Sequence, residues 1–259
     1  MVTAVLHAEW TKLRTVRSTR WTVILILALT VGFSLLLASG SSSTPPGAGG
    51  DNDIVRDSLV GVYLAQFAVI AFGVLAFTSE YATGLIHVTF AAMPRRGRVL
   101  AAKALLVGVT VLVAGLAATA TSFVAGQRML RENGYSPPGY PEWTLHNGAA
   151  QRAVLGSALL LAAIALLALG TGALLRHSAA AISSLLALLF IPLIFGPLLP
   201  ERTGDLLQKA TPGAGFAVQQ TLARDDAIPI APWTGLGVAF AWAGGALFLA
   251  YFLIRRRDA

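Results

Sequence analysis

An all-α membrane protein with six transmembrane helices is the fold class that this sequence predicts, on three observations. The first is composition: 56% of the 259 residues are hydrophobic and 12% charged, where a soluble domain carries about 25% charged residues. The second is that six apolar runs come close to the roughly 20 helical residues that cross a bilayer core of about 30 Å. The third is the distribution of arginine and lysine, which favours alternate polar segments as a serpentine chain requires. The whole chain, 1–259, reads as a single transmembrane domain.

The runs lie at about 21–39, 58–77, 104–126, 153–175, 179–199 and 233–254. None has an Asp, Glu, Lys, Arg or His near its centre. Arg176, His177 and Ser178 alone separate the fourth from the fifth, so these two form a tight hairpin. Pro192 and Pro197 should kink or end the fifth. The basic lead-in and the first apolar run are both too long for the layout of a cleaved signal peptide, so the first run is expected to be an uncleaved span.

Orientation follows from charge. With both termini on the cytoplasmic side, the inner segments hold Lys12, Arg14, Arg17, Arg20, Arg95, Arg96, Arg98, Lys103, Arg176, Arg255, Arg256 and Arg257. Against these stand only Glu9, Glu80 and Asp258, and the outer segments carry most of the acids. That asymmetry is the positive-inside pattern. The net charge of +7 is then a topology signal. Bases scattered over four segments do not make the continuous patch that nucleic acid would need.

The lead-in, residues 2–20, places Val2, Leu6, Trp10, Leu13 and Val16 at steps of four and three. Lys12, Arg14, Arg17 and Arg20 fall largely elsewhere on the wheel. An amphipathic helix in the headgroup layer, anchored by Trp10, fits this pattern. An ordinary basic flank that only sets topology fits it equally. On the outer side, Gly40–Asp57 opens as a low-complexity Ser/Pro/Gly stretch. Gln127–Arg152 brings Tyr135, Tyr140 and Trp143, expected at the interface. Pro200–Pro232 shows two short apolar patterns broken at Thr211-Pro212-Gly213, which predicts two short helices across the outer face.

Several chemistries are excluded. Cysteine is absent, which removes disulfides, thiolate metal sites and cysteine nucleophiles. His7, His87, His146 and His177 are isolated from one another, so no intramembrane metalloprotease pattern exists. There is no Gly-x-x-x-x-Gly-Lys-Ser/Thr loop to hold ATP phosphates. The spans offer hydroxyls and the amide of Gln66, expected in an interhelical hydrogen bond, where an ion-coupled transporter needs titratable groups. No catalysis and no cofactor or metal on this chain is the expectation.

Thr78 to Lys103, between the second and third spans, reads as a built device. Glu80 is followed four residues later by Gly84, and Pro94 comes ten after that. A helix starting near Ser79 would have a good N-cap and an acid at its positive end. Gly84 permits a bend or a close approach of another backbone, and Pro94 stops the structure. Arg95, Arg96 and Arg98 then meet anionic headgroups.

This arrangement resembles the type-2 permease family of ATP-binding-cassette exporters. Glu80, Gly84, Phe90 and Pro94 occupy the places of the family's loop pattern, while Leu85 and His87 depart from it, where Thr and a second acid are common. The basic lead-in, six spans and outer pair of short helices match along the whole chain, and Glu9 to Trp21 looks like the opening of actinobacterial members. The resemblance implies a permease subunit in a bacterial cell membrane, working as a homo- or heterodimer surrounded by lipid. It implies a cytoplasmic coupling helix, with Glu80, Tyr81, Gly84, Leu85, Phe90, Pro94, Arg95 and Arg96 meeting separate cytoplasmic ABC ATPase subunits. ATP and magnesium would belong to those partners. The alternatives are a secondary transporter, disfavoured by uncharged spans, and a membrane anchor or immunity protein without transport.

Overall fold

The computed structural model describes residues 10–11, 17–41, 53–84, 96–135, 137, 140–222 and 228–257. Among them there is helix and no strand. Six helices are long and apolar enough to cross a membrane, which makes this a multi-pass membrane protein. They are α1 (Arg17–Gly40), α2 (Val62–Ala82), α3 (Arg96–Glu132), α4 (Gly148–Leu175), α5 (Ser178–Phe195) and α7 (Pro232–Arg257). A shorter α6 (Glu201–Ala210) stands before the last. The six match the apolar runs; α1, α4 and α7 extend theirs by a few residues, while α2 is shifted four to five residues along the expected 58–77 and α5 stops at Phe195, short of the expected 199. The longest overrun is α3, at 37 residues against the expected 104–126.

The spans alternate in direction, so Arg17, Ala82, Arg96, Leu175, Ser178 and Arg257 mark one end of the bundle, termed here the basic end. At the centre stands α4, with 83% of its most apolar window buried. It packs on α2, α3, α5 and α7, while α1 closes against α2 and α3. Small residues make the centre possible. A Cβ on Gly170 would lie 2.9 Å from Ala246, and one on Gly172 3.0 Å from the Val74 carbonyl, so α7 and α2 approach α4 almost backbone to backbone. Polar groups inside the bundle are used to tie helices. Thr119 Oγ1 donates to the Val154 carbonyl at 3.1 Å, and Ser122 Oγ to the Ser58 carbonyl at 2.8 Å.

Pro192 lies inside α5, which continues to Phe195 before a 3₁₀ turn, Gly196–Leu198, that contains Pro197. The segment that follows departs from expectation. Its first part, α6, is amphipathic and half-exposed, as predicted. Its second part, the 3₁₀ helix Pro212–Gln219, is buried at every residue and enters between α4, α5 and α7 instead of lying across the outer face. Phe216 stacks on Tyr63 of α2 at 4.0 Å between ring centroids, and Gln219 Nε2 donates to Ser157 Oγ of α4 at 3.0 Å. Gly213, Ala214, Gly215 and Ala217 make the segment thin enough to fit. Trp242 Nε1 reaches the Ala210 carbonyl at 2.9 Å, ten residues into α7, so the chain descends about 15 Å from that end before returning.

The loops at this second end are tied down. Asp53, 1% exposed, accepts from Thr221 N at 2.6 Å, Thr221 Oγ1 at 2.5 Å and Leu222 N at 3.1 Å. Tyr135 is buried and packs on Tyr140, 4.9 Å between centroids, in a small cluster with Ala38, Ile54 and Leu130. Tyr135 therefore belongs to a satellite core and is not an exposed interfacial anchor.

Candidate functional site

The device between the second and third spans begins one element earlier than its spacing indicates. Residues 79–82 are the last turn of α2, not the first of a new helix. The hydroxyls that would have capped a new helix point backwards: Thr78 Oγ1 donates to the Val74 carbonyl at 3.1 Å and Ser79 Oγ to the Leu75 carbonyl at 2.7 Å. That back-bonding is the alternative that Ser and Thr always hold against capping. Thr83 is the C-cap, and Gly84 follows at φ +71 with its N–H on the Tyr81 carbonyl at 3.2 Å. This is the left-handed stop that favours glycine. A Cβ at Gly84 would meet nothing within 4 Å. Among the described residues, backbone conformation and not crowding is thus what calls for glycine here.

Glu80 now sits at the negative end of a helix dipole, where a carboxylate is disfavoured. Lys103 supplies the compensation. Its Nζ lies 2.8 Å from Glu80 Oε1, with the two side chains only 6% and 10% exposed. The base that an isolated acid in a basic segment requires is therefore on the same chain, two turns into α3. Breaking such a buried pair by removing one member costs about 3–5 kcal/mol.

Tyr81, the next residue, faces α4. Its ring packs on Phe77 at 5.5 Å, and the Arg176 guanidinium lies 4.8 Å from its centroid. Arg176 is the C-cap of α4 and adopts φ 53, a left-handed conformation costing about 1–2 kcal/mol for a residue with a Cβ. That turn carries the side chain back over Tyr81, and a cation over an aromatic face returns about 0.5–2 kcal/mol. Under these pairs lies an apolar cluster of Phe77, Leu100, Leu169, Ala173, Ala250 and Ile254. The ends of α2, α3, α4 and α7 thus meet in one joint at the basic end.

Of the residues singled out in sequence, Glu80, Tyr81 and Gly84 are brought together here. Arg96 opens α3, and Arg17 and Arg20 fall in the first turn of α1. Trp10 is 49% exposed. Leu85, Phe90, Pro94, Arg95, Lys12 and Arg14 lie outside the described residues. Lys103 and Arg176 were counted only as topology signals. The clue to Lys103 was present: a lysine at the start of an apolar run, facing a lone acid at the close of the preceding one. Nothing in the sequence marked Arg176 as the partner of Tyr81.

Gln66 differs from expectation. Its Nε2 donates to the Tyr63 carbonyl of its own helix at 3.0 Å, so it makes an intrahelical bond. Among the described residues no three His, Cys, Asp or Glu side chains converge as metal ligands. His177 caps α5, its Nδ1 accepting from Ala180 N at 3.2 Å. Scanned against models of known families, the chain matches none, and no curated protein matches it.

Proposed function

We propose that this chain is the membrane-spanning permease subunit of an ATP-driven exporter, working as a dimer with separate cytoplasmic ATPase subunits of the ATP-binding-cassette type. The observation that carries the reading is the joint at the basic end. Glu80–Lys103 and Tyr81–Arg176 fasten the end of α2 to α3 and to the α4–α5 hairpin, and Glu80, Tyr81 and Gly84 open the stretch to Arg96 that the family resemblance assigns to ATPase docking.

On this reading the basic end faces the cytoplasm of a bacterial cell, and ATP and magnesium stay on the partner. Closure of the ATPase pair displaces the chain after Thr78. The buried ion pair prevents α2 and α3 from responding separately, and the close approach at Gly172 hands the displacement to α4. The equilibrium between two access states of the permease pair is biased by a ligand bound on another chain. The uncharged spans suit an amphipathic or hydrophobic substrate.

The test is reconstitution of the chain in proteoliposomes with an ATP-binding-cassette ATPase that copurifies with it, following ATP hydrolysis and efflux of a fluorescent amphipathic probe. ATP-dependent efflux with a permease-stimulated hydrolysis rate is expected. Efflux driven by an ion gradient without the ATPase would replace the reading with a secondary transporter. Absence of either flux, with the ATPase still captured, would leave a membrane anchor.

A further inference from the structure

A groove of about 660 Å³ runs along the outside of the bundle between α3, α4 and α7. Its wall is almost wholly aliphatic and aromatic, with Leu100, Ala104, Gly108, Leu166 and Phe248 among its residues and Tyr251 as the one polar side chain among the described residues. On α3 it extends from Gly97 to Leu112 and on α7 from Tyr251 to Phe240. At 1.5 Å per residue this is about 16–22 Å, comparable with one leaflet of a core about 30 Å thick.

Two arginines flank the Gly97–Tyr251 end of the groove along the chain. Tyr251 stands beside Gly97, where a Cβ would be 2.2 Å from its ring, so the glycine lets the tyrosine close the end of the groove. Arg255 Nη1 donates to the Tyr251 hydroxyl at 3.2 Å, with its guanidinium 5.6 Å from the ring centroid. Arg98 follows Gly97 directly on α3, and both arginines are exposed. The acid described at this end, Glu80, is bound to Lys103, which lies on the opposite side of α3 from the groove by the 3.6-residue period.

We infer that this groove is a binding site for one anionic phospholipid of the bilayer, its acyl chain lying along α3 and its phosphate held by Arg98 and Arg255. The chemistry is that of an apolar slot one leaflet deep whose Gly97–Tyr251 end is flanked along the chain by Arg98 on α3 and Arg255 on α7, and arginine suits phosphate by presenting paired donors to its oxygens. The position at the bundle end is where such a headgroup sits. A zwitterionic lipid offers the same tail but cancels the charge that the rim attracts. The site does not depend on an ATPase partner, so it stands or falls apart from the transport reading.

Native mass spectrometry of the full-length chain, delipidated in detergent and titrated with phosphatidylglycerol or phosphatidylcholine of identical chains, tests this. Wild type should retain phosphatidylglycerol about tenfold more firmly. The double variant Arg98→Gln/Arg255→Gln should bring both lipids to one level, while Arg98→Lys/Arg255→Lys keeps most of the preference. Ala101→Trp, which fills the slot, should lower retention of phosphatidylglycerol without touching the arginines. Equal retention of the two lipids by wild type would overturn the inference on its own, whatever the variants do. So would a preference unchanged in the glutamine pair, or an Ala101→Trp chain that binds normally. A lipid-free dimer that Ala101→Trp converts to monomer would show instead that a second copy fills the groove.

Discussion

Glu80 is the residue whose meaning changes most between sequence and fold. As a lone acid in a basic segment it could serve a partner protein through an exposed contact worth about 0–1 kcal/mol. Buried against Lys103 it serves this chain first. Glu80→Ala should therefore destabilise the protein by about 3–5 kcal/mol by leaving the lysine unpaired, seen as a lower melting temperature in detergent. The charge exchange Glu80→Lys/Lys103→Glu should recover part of that loss, because it restores a pair in the same place. A single variant that melts like wild type would contradict the buried pair. Gly84 makes a second residue-scale case. Gly84→Val forces a β-branched residue to φ +71 and, if the chain works as the proposed exporter subunit, should impair both ATPase stimulation and export. Gly84→Asn, which tolerates the left-handed region, should retain most of both. Equal behaviour of the two would mean that the helix stop does not matter to coupling.

At the scale of elements, the spans were legible because an apolar run about 20 residues long has few other fates. What remained hidden was side-chain traffic between them. The turn at Thr211-Pro212-Gly213 marked a break correctly, but the sequence of small residues after it gives no sign of depth, since Gly and Ala are common throughout. The 3₁₀ segment Pro212–Gln219 is wedged between three spans, and that depth can be tested. Its amides should exchange as slowly as those of α4, and Phe216→Ala should cost about 3–5 kcal/mol by removing a fully buried ring that stacks on Tyr63. Fast exchange from residue 212 to 219 would return the segment to the surface. The end of the second span shows the converse: its spacing suggests a helix starting near Ser79, yet α2 runs through it, because a hydroxyl that bonds back to i−4 and one that caps forwards look identical in sequence.

For the whole molecule, the arrangement of arginines remains the argument for sidedness. Tags at residues 1 and 259 should both report the cytoplasm, and one inserted near Gly49 should report the outside; an external signal from either terminus would reverse the assignment. One consequence at this scale belongs to α3. A helix of 37 residues is about 55 Å long, nearly twice the thickness of the hydrocarbon it crosses. A rod of that length would act as a lever through the membrane. At one end it is gripped by Glu80 through Lys103. At the other, Asn133 Nδ2, one residue past the helix, donates to the Ala38 carbonyl at 2.7 Å, and Leu130 packs beside Ile54. Tilting such a rod by about 5° moves one tip by about 5 Å relative to the other, a full side-chain width. A small rotation at one membrane surface is thereby a large displacement at the opposite one, and no signal needs to pass through the lipid-facing side chains between.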